Sequence, residues 1–389
     1  MKILKITFIT LCVLALAGWF LLFRSVPLKI SPETTILTEP RTEDGKWVDY
    51  RAYLISQFPK DGNTEKNSAR GMLELFGLEG EYAPTFKPEY WEMLGLEPFD
   101  ENRKAPFSIS DEILLDEKFD DCKKVEDYFA ADPEAVREYV SAATPALDAM
   151  AEVIQKAEFY AFPVVPNSSD EIVEALLPDL SFLNRIATAF ELRAYLRKED
   201  GDLEGEQADR LILMKFGRQI QNQALTLITL LRGNAIEKRG AGLKDPEKWK
   251  TLEPIDRQEN LRRVLEFERL LAPSAIQNFS RKGKKGSSYG NLVPDDAPNG
   301  FSEWLVTHLG FDWNVVAKRL NENQQKILFQ EENAPPFEVP AHDSWIEFPK
   351  IFSRRARSEV LADFLAIPSC HMMPHVRQFL LEEVSPPAP

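Results

Sequence analysis

The chain reads as an all-α protein: antiparallel helical hairpins in a solenoid-like or irregular helical array, with long aromatic and Pro-rich loops. Three observations predict this. Apolar residues recur at three- and four-residue steps through much of the chain. Helix-start signals such as Asp132-Pro133-Glu134 precede these runs, and the connections between the longest runs are short enough to force antiparallel neighbours.

The amino-terminal element comes first. Met1-Lys2-Ile3-Leu4-Lys5 leads into an apolar run over residues 6–23 closed by Arg24, the form of a membrane-insertion signal. Residues 3–23 match the roughly 20 residues a spanning helix needs, and Trp19 and Arg24 suit the interface. Residues 1–24 are therefore read as a retained signal-anchor helix. Ala15-Leu16-Ala17 also has the small-x-small form of a signal-peptidase site, and cleavage there would leave a secreted protein starting at Gly18. Lys2, Lys5 and the amino terminus carry a small basic excess over Arg24 and Lys29, which places the body on the extracytoplasmic side. Cys12 follows Leu11 inside the apolar run, which excludes a lipoprotein.

Residues 25–43 bear Pro and Thr without helical periodicity, as expected of a linker stalk. Trp47, Tyr50, Leu54 and Phe58 then predict a helix over 48–58, and a second is predicted over 67–76. Between residues 80 and 111, Tyr82, Phe86, Tyr90, Trp91, Phe99 and Phe107 alternate with prolines that sustain neither helix nor central strand. That stretch reads as a long aromatic loop packed on the body, with a carbohydrate or peptide groove as its functional alternative.

Asp132-Pro133-Glu134 starts one helix, and Thr144-Pro145 repeats the signal, predicting two short helices. After a loop at 162–170, helices are predicted over 171–176, 180–198, 204–222 and 225–238. Leu183, Ile186, Ala187, Phe190, Ala194 and Leu196 give the second of these a broad apolar face, and Gly201-Asp202 breaks the chain after it. No fixed repeat period accompanies this hairpin. Residues 256–271 add a helix with Leu261, Val264, Leu265 and Leu270 on its apolar side. Helices over 302–309, 312–330, 355–365 and 374–383 follow, with a Pro-rich crossing over 332–343.

The chain thus divides into a signal-anchor (1–24), a stalk (25–43), a main helical body (44–280), a flexible basic loop (281–300), a C-terminal helical subdomain (301–385) and a disordered tail (386–389). The basic loop carries Arg281-Lys-Gly-Lys-Lys-Gly-Ser-Ser-Tyr-Gly290 and lacks the phosphate-loop spacing, so it reads as solvated, with an anionic partner as the alternative. Across 389 residues, 47 Lys plus Arg face 62 Asp plus Glu, a net −15 that argues against nucleic acid or anionic lipid as the main partner. Of three cysteines, Cys122 and Cys370 lie outside the anchor and are equally readable as a disulfide or as two buried thiols.

Most motifs for chemistry are absent. The chain has no His-Glu-x-x-His, no Cys-x-x-Cys and no Gly-x-Gly-x-x-Gly after a strand. Its four histidines are His308, His342, His371 and His375. Abundant carboxylates such as Glu191 and Asp363 show no spacing that separates them from solvated surface. Cys370-His371-Met372-Met373-Pro374-His375 gathers soft ligands suited to copper or zinc, making Cys370, His371 and His375 the candidate metal ligands of an alternative reading. In the favoured reading Met372 and Met373 fill the core under a terminal helix that Pro374 opens, and no cofactor is bound.

Glu43-Asp-Gly-Lys-Trp-Val-Asp-Tyr50 with residues 67–77, then Arg185-Ile-Ala through Leu192-Arg-Ala and on to Gly201-Asp202, and later Asp312-Trp-Asn314 with Asn321, form a recognisable set. The chain resembles, on these motifs, a family of uncharacterised membrane-anchored proteins of planctomycete bacteria. In that family the Gly-Asp stands between two helices and an alanine-rich helix follows; here Glu204-Gly205-Glu206-Gln207 intervenes. The resemblance implies an envelope location and a helical body, and no activity. The expected function is a membrane-anchored, extracytoplasmic helical module that binds or scaffolds another envelope protein. The alternative is a metal-handling protein or hydrolase using Cys370, His371 and His375.

Overall fold

The structure, a computed structural model, describes residues 24–77, 88–97, 105–110, 113, 119, 124–164, 172, 180–282, 311–329, 353, 355, 358–359, 361–362, 373 and 379–380. Among the described residues the protein is all-α, and β pairing appears as isolated bridges such as Val26 with Asp312 and Asn67 with Phe159. In chain order the helices are α1 (Tyr50–Gln57), α2 (Ser68–Phe76), α3 (Pro88–Met93), α4 (Val125–Ala131), α5 (Pro133–Lys156), α6 (Leu180–Glu199), α7 (Leu203–Gln223), α8 (Leu227–Arg239), α9 (Pro246–Lys250), α10 (Arg257–Glu268), α11 (Leu271–Lys282) and α12 (Trp313–Leu328). The chain forms two compact units. One comprises Met1–Leu54, Val165–Ala175 and Leu265–Arg377; the other comprises Ile55–Val164, Leu176–Val264 and Gln378–Pro389.

In the first unit, the segment expected as a stalk is a strap laid on helices. The amide of Val26 donates to the carbonyl of Phe311 at 2.8 Å, and that of Leu28 to Ser280 Oγ at 2.7 Å. Asn314 Oδ1 accepts from the Lys29 amide, and Asn321 Nδ2 donates to the carbonyls of Glu33 and Thr34. Leu28, Thr34 and Thr35 are buried. A strand-like segment with unpaired amides needs acceptors, and the amides of Leu28 and Lys29 find them on side chains of α11 and α12. Such side-chain partners leave no periodicity in the strap's own sequence. Further along, Gln277 on α11 both accepts from the Val48 amide and donates to its carbonyl, so a side-chain amide stands in for a neighbouring strand.

The second unit is organised on α5 to α8. The apolar face expected of α6 is the observed one: Leu183, Ile186, Ala187, Phe190, Ala194 and Leu196 are all buried. Asp200-Gly201-Asp202 turns the chain tightly, with Gly201 at φ +83° and Asp202 capping α7 through the Gly205 amide. Arg197 then meets Gly205 while Arg193 meets Asp209, so α6 and α7 run antiparallel. On α7 and α8, Gly240 lies against Arg210 and Gly233 against Gly217, again in opposite order. A Cβ on Gly217 would stand 2.4 Å from the Glu237 amide nitrogen and 2.6 Å from the Gly233 carbonyl oxygen, so these two helices touch backbone to backbone. Polar ties lock the surrounding segments. Asn67 caps α2 and also bonds Gly62 and Ala161, while Gln219 Nε2 donates to the carbonyls of Ile154 and Ala157 at 2.9 and 2.8 Å.

Three sequence expectations are corrected. Thr144-Pro145 does not start a second helix: α5 is continuous over 24 residues with Pro145 inside. An interior proline costs about 3 kcal/mol, yet Val140, Ala143, Ala146, Leu147 and Met150 on either side are buried, and that packing holds the helix together. Thr144 Oγ1 donates to the Val140 carbonyl at 2.7 Å, adding a bond within the same turn. The aromatic loop is not wholly non-helical either, because Pro88 opens the six-residue α3, which buries Tyr90 and Trp91. Proline is compatible with a first turn, where its missing amide has no partner to lose. Third, α4, α9 and α11 lie where no helix was expected; α9 is capped by Asp245 with Pro246 at its first position.

Candidate functional site

Charged side chains in the second unit fall into two kinds: those consumed by its own architecture and those left for something else. The first kind centres on two carboxylates. Asp209, 2% exposed, accepts from Arg193 Nη2 at 2.6 Å and Nε at 3.0 Å and from Arg197 Nη1 at 2.9 Å. Arg193 also reaches Asp148 at 2.7 Å and stacks over the Phe190 ring. Burial pushes the Asp209 carboxyl up while the Arg193 hydrogen bond and the Arg193 and Arg197 charges pull it down.

The second carboxylate, Glu237, is fully buried. Arg218 Nε donates to Oε1 at 2.9 Å; Gln221 Nε2 and Arg257 Nη2 donate to Oε2 at 2.7 Å each. Arg257 also bonds Gln221 Oε1 and Asn234 Oδ1, so every charge in the cluster has a counter-charge or an acceptor. A fully buried carboxylate bonded on both oxygens in this way ties α7, α8 and α10 together.

The other kind lies on the seam between α6 and α8. Asn184 Oδ1 accepts from Arg239 Nη2 at 2.8 Å and from Arg232 Nη1 at 3.3 Å. Arg239 Nη1 also donates to Thr188 Oγ1, and its Nε stands 3.7 Å from Glu191. Burial raises the Glu191 carboxyl, against the lowering by Arg239 and Arg210. Arg232 meets no carboxylate among the described residues. Its guanidinium is pushed below its ordinary range by burial first and by the Arg239 charge second.

Along the same seam, one turn earlier on each helix, Leu180 and Leu183 of α6 join Tyr160, Phe162, Leu225 and Thr229 in a shallow apolar recess. Ile228, 44% exposed, sits at the start of α8 one turn before Arg232. A small apolar recess thus lies one turn from a guanidinium that meets no carboxylate among the described residues.

The sequence-predicted ligands Cys370, His371 and His375 lie outside the described residues, as do Cys122, His308 and His342. Among the described residues no group of three or more His, Cys, Asp or Glu side chains is placed to hold a metal ion. Glu191, read as surface from sequence, is half-buried on the seam. Arg232, Arg239 and Asn184 were not singled out by sequence. The available signal was weak: Asn184, Thr188 and Glu191 share one helical face, as do Arg232 and Arg239, a pattern common on solvated helices. Comparison of the chain with protein-family models, curated proteins and solved structures found no match.

Proposed function

We propose that the protein is a helical binding module of the cell envelope, held at the membrane by residues 1–24 and using its α6–α8 face to take another protein. The observation that carries the reading is Arg232, half-buried with Asn184 as its counterpart, one turn from a small apolar recess. Arg193, Arg218 and Arg257 of this unit meet buried carboxylates, whereas Arg232, like the half-buried Arg263, meets neutral acceptors among the described residues; a guanidinium without a counter-charge is a cost to the free protein that a bound anionic group offsets. The apolar run over residues 6–23 supports the anchor, and the resemblance to membrane-anchored planctomycete proteins points to the same compartment. Among the described residues no helix is long and apolar enough to cross a membrane, so the anchor rests on residues 1–24 alone.

Two measurements test this. The mature amino terminus is sequenced after cell fractionation: the membrane fraction should hold a chain retaining residues 1–24, and a soluble chain starting at Gly18 would overturn the anchor. A photo-reactive residue placed at Ile228, with one at Lys198 as control, should crosslink to a discrete envelope protein from Ile228 alone. Equal labelling from both positions would overturn the binding face.

A further inference from the structure

The arginines around the two buried carboxylates of the second unit each have a counter-charge within hydrogen-bond reach: Arg193 meets Asp209 at 2.6 Å, Arg197 meets it at 2.9 Å, and Arg218 and Arg257 meet Glu237 at 2.9 and 2.7 Å. Arg232 does not. Its partner is the neutral oxygen of Asn184 at 3.3 Å, which it shares with Arg239, so two guanidinium groups converge on one uncharged acceptor. Glu191 is the nearby carboxylate, and at 3.7 Å it faces Arg239 Nε. Among the described residues Arg232 therefore has no counter-charge and has donor groups to spare, since a guanidinium carries five N–H groups.

We infer that this face takes a peptide segment of the partner protein, with an apolar side chain across the mouth of the recess of Leu180, Leu183 and Leu225 and an adjacent aspartate or glutamate on Arg232. The inference rests on the binding-module reading and specifies its ligand. Charge decides between the possible occupants. With a net charge of −15, the chain repels a polyanionic surface such as a lipid bilayer, whereas a single carboxylate needs one local guanidinium fork. Tyr160 and Phe162 add apolar walls, and the recess is small, about 30 Å³, so the apolar side chain lies across its mouth and not within it. Ile228, exposed at the start of α8, offers a further apolar side chain one turn before Arg232.

The full-length protein in non-ionic detergent is titrated against three fluorescein-labelled peptides with one Leu-Phe core, flanked by Glu, by Gln or by Lys. Fluorescence anisotropy reports binding. The Glu peptide should bind saturably and at least about tenfold more tightly than the Gln peptide, with the Lys peptide weaker still. Arg232→Gln should remove the preference for Glu over Gln, Arg232→Glu should transfer it to the Lys peptide, and Lys198→Glu should leave it intact. Melting temperatures of the variants confirm that each is folded. Equal affinity for the three peptides, no saturable binding, or a Glu preference that survives Arg232→Gln overturns the inference. So does displacement of the peptide by phosphatidylglycerol vesicles whose own binding requires Arg232, which would assign the face to lipid headgroups. If peptide binding fails while crosslinking from Ile228 still captures one discrete partner, the ligand chemistry falls and the module reading stands.

Discussion

Arg193 on α6 and Asp209 on α7 form a forked pair almost wholly out of water: their side chains are 5% and 2% exposed, with Nη2 to Oδ1 at 2.6 Å and Nε to Oδ2 at 3.0 Å. Removing one member leaves a buried charge without its partner, which costs about 3–5 kcal/mol. Asp209→Ala should therefore lose stability of that order in denaturant unfolding. Replacing both by apolar residues, Arg193→Met with Asp209→Leu, should recover most of the loss, because the desolvation penalty disappears with the charges. A double variant as unstable as the single one would show that Arg197 and Asp148 carry the network instead.

Gly217→Ala sets two effects of opposite sign against each other. Alanine gains about 1 kcal/mol over glycine in a helix interior. Its Cβ would nevertheless stand 2.4 Å from the Glu237 nitrogen, and rigid backbone cannot move aside as a side chain does. The clash should win, with a net loss of about 1–3 kcal/mol. Gly201→Ala offers the contrast: nothing lies within 4 Å of its Cβ, but φ is +83°, so the cost is the left-handed conformation alone, about 1–2 kcal/mol. Thermal unfolding of the two variants should place Gly201→Ala above Gly217→Ala if the helices are in backbone contact.

Leu183 is 1% exposed on α6, and Lys198 lies on the open end of the same helix. Leu183→Asp buries an unpaired charge and should unfold the second unit, and Leu183→Ala should cost about 2–5 kcal/mol. Lys198→Asp should change the melting temperature little. An unchanged melting temperature for Leu183→Asp would mean that the face of α6 has been assigned the wrong way round.

Glu191 predicts a pH dependence. Its folded-state carboxyl is raised above the ordinary 4.5 by burial, so between those two values the folded chain binds more protons than the unfolded chain. Stability owed to this group is thus fully present below 4.5 and falls as pH rises through the folded value. Glu191→Gln should abolish that component: the difference in unfolding free energy between variant and parent should favour the variant near neutral pH and narrow as the solution is acidified. A gap that widens on acidification would show instead that Arg239 holds the carboxylate ionised.

Local signals were legible where each residue's fate depends on its neighbours in sequence. The apolar spacing of Leu183, Ile186 and Phe190 marked the buried side of α6, and Asp132-Pro133 marked the start of α5 correctly. The aromatic content around Tyr90 and Trp91 announced packing, since bulky rings bury large area wherever they lie. At Pro145 the same local reasoning gave a boundary that is not there. Local chemistry prefers a break at that proline, and the buried faces on both sides of it override the preference.

The sequence by itself determined that this is an all-α chain, which faces of α6 and α10 turn inward, and that Gly201-Asp202 is a turn, because helix period, caps and φ preference act over a few residues. Tertiary structure alone decided that residues 25–43 form a strap, because the acceptors of Val26, Leu28 and Lys29 are more than two hundred residues away in the chain. It alone separated the charges as well. Arg193, Arg218 and Arg232 look alike in sequence; a carboxylate from another helix meets the first two, and a neutral asparagine oxygen meets the third. Pairing of that kind depends on distance in space, for which residue order carries no local signal.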